Sequence, residues 1–109
     1  MTGKEMAEKL GLTVVQHNGE ERDLETGYTS DLLSDVMANA RDGSVLITIQ
    51  AHKNTVAVAS LAGCAAIVIC NDRPIPEEMV QAAEAEGIPV YATEANQYEI
   101  SARVHGLLG

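Results

Sequence analysis

The sequence predicts an α/β domain, a mostly parallel sheet of about four strands held as a three-layer α/β/α sandwich. Three observations predict it. Segments with apolar residues at helical spacing alternate along the chain with short apolar runs. Two of those runs, 44–49 and 65–70, are apolar almost throughout, as in strands covered on both faces. The connections are short, which suits right-handed βαβ units. At 109 residues the chain has the size of one domain, read as spanning 1–109, and no repeat, low-complexity tract or linker divides it.

The elements follow in order. Met6, Ala7 and Leu10 recur at helical spacing from about Gly3, and Gly11 stops that helix. Leu12–Val15 reads as a short strand, His17–Glu21 as a turn, and Arg22–Glu25 as a little edge strand. Thr29 or Ser30 is placed to cap the next helix, with Asp31 in its first turn. Its stripe is Leu32, Leu33, Val36, Met37 and Ala40, ending at Asp42–Gly43. The strand Ser44–Ile49, the loop Gln50–Lys53 and a small-residue helix from Asn54 to Ala62 come next, closed by Gly63. Ala65–Cys70 is a second buried strand and Asn71–Pro74 a turn. Pro76 opens a helix that turns Met79, Val80 and Ala83 inward and ends at Gly87. Ile88–Tyr91 is a further strand, and Thr93 is placed to cap a last helix striped by Ile100, Val104 and Leu107 or Leu108.

Composition narrows the function classes. The hydrophobic fraction is 46%, yet there is no Trp or Phe and only three Tyr, so small aliphatic side chains must fill the core. Seven Lys and Arg against sixteen Asp and Glu leave a net charge of −9. Such a surface repels phosphate backbones and anionic lipid, which argues against nucleic-acid and membrane partners. With no signal-like N-terminus, the expected location is cytoplasmic. Cys64 and Cys70 read as buried free thiols, because neither a CxxC-like spacing nor further ligands accompany them.

A site is expected where such sheets carry one, beyond the carboxyl ends of the strands. Three predicted connections share that edge: Gln50–Asn54, Asn71–Pro74 and Ala92–Glu94, with the lead-in around Gly27–Ser30 reaching toward it. Candidate ligand-binding residues are Tyr28, Gln50, His52, Lys53, Asn54, Asp72, Arg73 and Thr93. His52, Lys53 and Asn54 at a helix start suit a phosphate or carboxylate, since the helix end adds partial positive charge to that of Lys53. Plain capping by Asn54, with His52 and Lys53 solvated, explains the same residues. Arg73 reads as an anion ligand or as half of a local ion pair with Asp72. Tyr28 suits stacking on a ring or packing. His17 and His105 read as surface residues.

Catalytic signatures are missing. The chain has no G-x-S-x-G, no G-x-x-x-x-G-K-[ST], no G-x-G-x-x-G and no HExxH, and no grouped metal ligands. No cofactor or metal is therefore expected, and no residue is assigned a catalytic role. One acid–base pairing, His52 with Asp72, is the remaining enzymatic alternative.

Asp31–Met37, Ile47–Ala59 and Gly87–Thr93 together resemble the DRTGG-domain family, over most of the chain from about Leu12 to Leu108. The closest likeness is to short stand-alone members from anaerobic bacteria and archaea. The stretch aligned with the naming pentapeptide reads His52-Lys53-Asn54-Thr55-Val56, without Asp-Arg or paired glycines. The resemblance implies a regulatory, dimer-forming domain of the kind that accompanies phosphotransacetylases, pyrophosphatases with CBS domains, and the amino-terminal part of HPr kinases. Kinase activity in that last setting belongs to a separate P-loop domain. The helix Asn54–Ala62 is apolar almost all round, which suits burial between two chains or under its own neighbours.

The expectation is a non-catalytic regulatory or interaction module, homodimeric, binding a small anionic metabolite, a nucleotide or a partner enzyme. The alternatives are a small enzyme acting on a phosphorylated or carboxylated substrate through His52 and Asp72, and a structural subunit of a larger complex.

Overall fold

The computed structural model describes residues 1–19 and 21–109; Glu20, in the predicted turn His17–Glu21, lies outside the described residues. The element order is α1 (Gly3–Leu10), β1 (Thr13–Gln16), β2 (Thr26–Thr29), α2 (Leu33–Asn39), β3 (Ser44–Thr48), α3 (Lys53–Ala62), β4 (Ala66–Ile69), α4 (Glu77–Glu86), β5 (Val90–Ala92) and α5 (Gln97–Leu108). The strands form one sheet in the order β1-β5-β4-β3-β2. β2, β3, β4 and β5 run parallel, and β1 adds antiparallel beside β5. The fold is the predicted α/β sandwich with a mostly parallel sheet.

The described sheet has five strands rather than about four. The extra one is β2, read from the sequence as a polar lead-in. Thr26-Gly27-Tyr28-Thr29 carries no apolar run because an edge strand pairs on one side only, here in register with Ser44–Ile47 of β3. Gly27 also lets α5 come close, since a Cβ there would lie 3.2 Å from Val104 Cγ1. The predicted edge strand over Arg22–Glu25 reduces to a single bridge between Asp23 and Thr2.

Each face of the sheet supports its own core. On one side Met6, Ala7, Ile100 and Val104 from α1 and α5 pack on Val45, Ile47, Val68 and Tyr91. On the other, Val36, Val56, Ala59, Met79 and Ala83 from α2, α3 and α4 pack on Leu46, Ile67, Ile69 and Val90. Alternate residues of β3 and β4 thus serve opposite layers, which is why both runs are apolar almost throughout. Within the chain α3 is partly buried: Thr55, Val56 and Ala59 are covered by neighbouring elements, whereas Ala57 is exposed and Leu61 is 75% exposed. α2 likewise buries only Val36 completely. No helix among the described residues is long and apolar enough to cross a membrane.

Three caps differ from the sequence reading. α2 begins after Leu32 with no side-chain cap, and Ser30 Oγ accepts the Leu32 N–H at 3.2 Å in a local turn instead. α3 is capped by His52, whose Nδ1 accepts the Asn54 N–H at 3.0 Å, so Asn54 lies inside the helix rather than before it. α5 is capped by Asn96 in a reciprocal capping box with Glu99. Thr93 Oγ1 accepts only the Ala95 N–H in the preceding loop. In each case a hydroxyl or amide two or three residues from the true cap offered the same one-dimensional signal.

Candidate functional site

The carboxyl ends of β2, β3, β4 and β5 meet at one edge, and a single side chain ties several of them together. Asp31, read from the sequence as a first-turn residue of α2, precedes that helix and turns back toward β3. Its Oδ1 accepts Thr48 Oγ1–H at 2.9 Å, the Ile49 N–H at 2.9 Å and Gln97 Nε2–H at 3.0 Å. Gln50 Nε2 donates to the Asp31 carbonyl at 3.1 Å. One carboxylate oxygen therefore joins the β2–α2 loop, the end of β3 and the first residue of α5. Hydrogen bonds to a carboxylate are stronger than those between neutral groups, so this knot fixes the edge. Spacings of 17, 18 and 66 residues leave no pattern along the chain from which Asp31 or Gln97 is legible.

The β3–α3 loop is tightly wound. Thr55 Oγ1 donates to the Gln50 carbonyl at 2.7 Å, and the Gln50 N–H donates to Thr48 Oγ1 at 3.1 Å. His52 spends Nδ1 on its cap, leaving Nε2 as the outward atom. Lys53 reaches Glu78 of α4 at 3.7 Å in an exposed pair. Tyr28, read as part of a lead-in loop, lies in β2 and donates its hydroxyl to Asp35 Oδ2 at 2.7 Å. That bond raises the Tyr28 phenol above its ordinary range and lowers the Asp35 carboxyl, with Asn39 lowering the latter further. Tyr28 also packs half-buried against the α2–α4 side of the core.

Asn71 and Asp72 both take left-handed backbone, at φ 64° and 51°. Their N–H groups donate to the Ala95 and Thr93 carbonyls at 2.9 Å each, stitching the β4 and β5 ends together. Beside them a cleft of about 780 Å³ opens between this stitch, the end of α1 and one side of α5. Asp72, Thr93, Glu94, Glu99, Arg103 and Gly11 contribute to its lining. The carboxylates outnumber the single guanidinium, which already pairs with Glu99 at 3.6 Å.

The eight residues expected from the sequence thus divide. Asp72 and Thr93 line the cleft; Gln50, His52, Lys53 and Asn54 belong to the β3–α3 turn and its helix start; Tyr28 is held by Asp35; Arg73 is exposed. The ion pairs among the described residues do not include Asp72 with Arg73, and no hydrogen bond joins His52 to Asp72. Sequence reasoning placed Glu94 only within the Ala92–Glu94 connection and gave Asp31, Gln97, Glu99 and Arg103 no part in the site. Cys64 and Cys70 are free and buried, and burial pushes each thiol up to about 11. The Asp31 charge adds to the shift at Cys70, while Arg22 offsets a little of it at Cys64. Such thiols are poor nucleophiles at neutral pH. No group of three or more His, Cys, Asp or Glu side chains among the described residues is arranged to hold a metal ion.

Comparison with known proteins places this geometry. The DRTGG domain model matches residues 5–107. A solved structure of the CBS and DRTGG domains of the regulatory region of Clostridium perfringens pyrophosphatase, complexed with the activator diadenosine tetraphosphate, superposes with a TM-score of 0.71 at 10% identity. The alignment covers 94% of this chain and 45% of that one, so the present chain spans less than half of its neighbour. No curated protein matches the sequence.

Proposed function

The chain belongs to the DRTGG domain family, and from that membership we propose that it is a regulatory module that senses a small metabolite or nucleotide at the carboxyl edge of its sheet. The observation that carries the reading is the Asp31 knot. A ligand that contacts any of the β2–α2 loop, the β3 end or the start of α5 acts on all three, because one oxygen holds them. That is the arrangement a sensor needs to turn local binding into movement of whole elements. The pyrophosphatase neighbour, crystallised with a dinucleotide activator, supports a nucleotide as the first class to try. The acidic balance of the 780 Å³ cleft favours ligands that bring a cation or few charges over bare anions.

The module acts as a cytoplasmic homodimer or on a partner enzyme, a reading supported by the apolar surface that α3 leaves uncovered at Ala57 and Leu61. Thermal unfolding against a panel of mononucleotides, dinucleotides and small organic acids, with and without magnesium, tests the sensor. Binding at a hundred times Kd stabilises the fold by about 2.7 kcal/mol, a readily measured rise in Tm. If no compound shifts Tm and no partner copurifies from source cells, the regulatory reading fails. Sedimentation of wild type and Leu61→Glu tests the dimer separately.

A further inference from the structure

Away from the carboxyl-edge cleft, a second concavity lies between β2 and α5. Its volume is about 430 Å³ and its lining is mainly apolar. The floor is the exposed backbone of Gly27 with the side chains of Ile47 and Val104. One wall is Tyr98, whose ring is 83% exposed and free to stack. At the rim Thr29 Oγ1 and Ser101 Oγ share a hydrogen bond of 2.7 Å, in which only one hydroxyl acts as donor, so the other hydrogen is available. The His105 imidazole completes the rim.

We propose that this groove is a binding site for an uncharged planar aromatic ring of about the size of a purine. Three features select that occupant. The volume falls in the range of small-molecule sites, roughly 300–1,000 Å³, with the Thr29–Ser101 hydrogen bond among its lining. The exposed Tyr98 ring gives an incoming ring a stacking partner, and the apolar lining beside it adds burial. No Asp, Glu, Lys or Arg side chain lines the groove, although the chain carries a net charge of −9. With no Lys or Arg to receive it, an anionic ligand meets the repulsion of the surrounding field. Hydroxyl and imidazole groups at the rim suit the ring nitrogens and exocyclic groups of a heteroaromatic. This site stands apart from the sensor reading, and holds whether or not the carboxyl edge binds a ligand.

Adenosine, as a neutral purine probe, and AMP, as its anionic counterpart, test the proposal by amide chemical-shift titration of the full chain. Adenosine is expected to shift the amides of Gly27, Thr29, Ser101 and His105. AMP is expected to bind several-fold more weakly, with the gap narrowing as salt rises. Tyr98→Ala should weaken adenosine at least tenfold. Ala102→Leu, which fills the groove from an exposed helical position, should abolish binding with Tm unchanged. The proposal is overturned if millimolar adenosine leaves these amides still, or if its shifts map to Asp72–Ala95 instead. It is equally overturned if Tyr98→Ala leaves affinity intact, or if the same amides shift with protein concentration alone, which would assign the groove to a second copy.

Discussion

At the scale of single residues, the most informative side chain is Tyr91. It is wholly buried, its hydroxyl has no hydrogen-bond partner, and the ring end crowds Gly3, where an added Cβ would sit 2.8 Å from the hydroxyl oxygen. A buried polar group without a partner costs about 1–3 kcal/mol. Tyr91→Phe is therefore expected to leave stability unchanged or raise it by about 1 kcal/mol in urea unfolding, against a loss of about 3–5 kcal/mol for Tyr91→Ala. A clear loss in the phenylalanine variant would mean that the hydroxyl has a partner. The buried acids also set an alkaline limit. Burial moves Cys64 and Cys70 from 9.0 to about 11 and Tyr91 from 10.0 to about 12, with the charge of Glu21 adding to the last. Each group keeps its proton in the fold at pH values where the unfolded chain releases it. The unfolded state thus binds fewer protons, and stability falls as pH rises from about 9 toward 12. Tm measured from pH 8 to 11 should decline, and Cys64→Ala with Cys70→Ala should flatten the part below pH 11.

Elements are held here by contacts that no single segment announces. Asp31→Ala removes the acceptor of three hydrogen bonds and strands the Ile49 N–H, so a loss of about 2–3 kcal/mol is expected. Asp31→Asn keeps an acceptor oxygen and should lose less than half of that. Hydrogen exchange at Ile49 reads the same knot locally and should quicken in the alanine variant. At α3, His52→Ala should cost about 1 kcal/mol by removing the cap, while His52→Ser should stay within a few tenths of wild type. Equal losses in both variants would show that the imidazole does more than cap. Much at this scale was legible beforehand. Gly11, Gly63 and Gly87 end α1, α3 and α4 as expected, all in left-handed backbone that glycine adopts without strain. Which of several neighbouring polar residues caps a helix was not, because Thr93 and Asn54 offer a capping acceptor just as Asn96 and His52 do, and α2 takes no side-chain cap at all.

For the molecule as a whole, charge and sheet topology decide most. With sixteen acidic against seven basic side chains, the compact state repels itself, and the four ion pairs among the described residues, like the His17–Glu21 contact, are largely surface contacts. Raising NaCl from 10 to 300 mM should shorten the reach of that repulsion and lift Tm by several degrees. A flat or falling Tm would mean that favourable surface pairs outweigh it. The sequence by itself determined the α/β class, the parallel centre of the sheet, the glycine stops of α1, α3 and α4 and the two buried central strands, since those follow from local periodicity and from the backbone freedom of glycine. Only the tertiary structure decided that Thr26–Thr29 is a strand, that Asp31 binds three distant donors, and that the expected ligand residues divide among separate places. An edge strand needs no apolar run, and a carboxylate finds its partners through space rather than along the chain. A site assembled from loops 17 to 66 residues apart leaves no periodic trace.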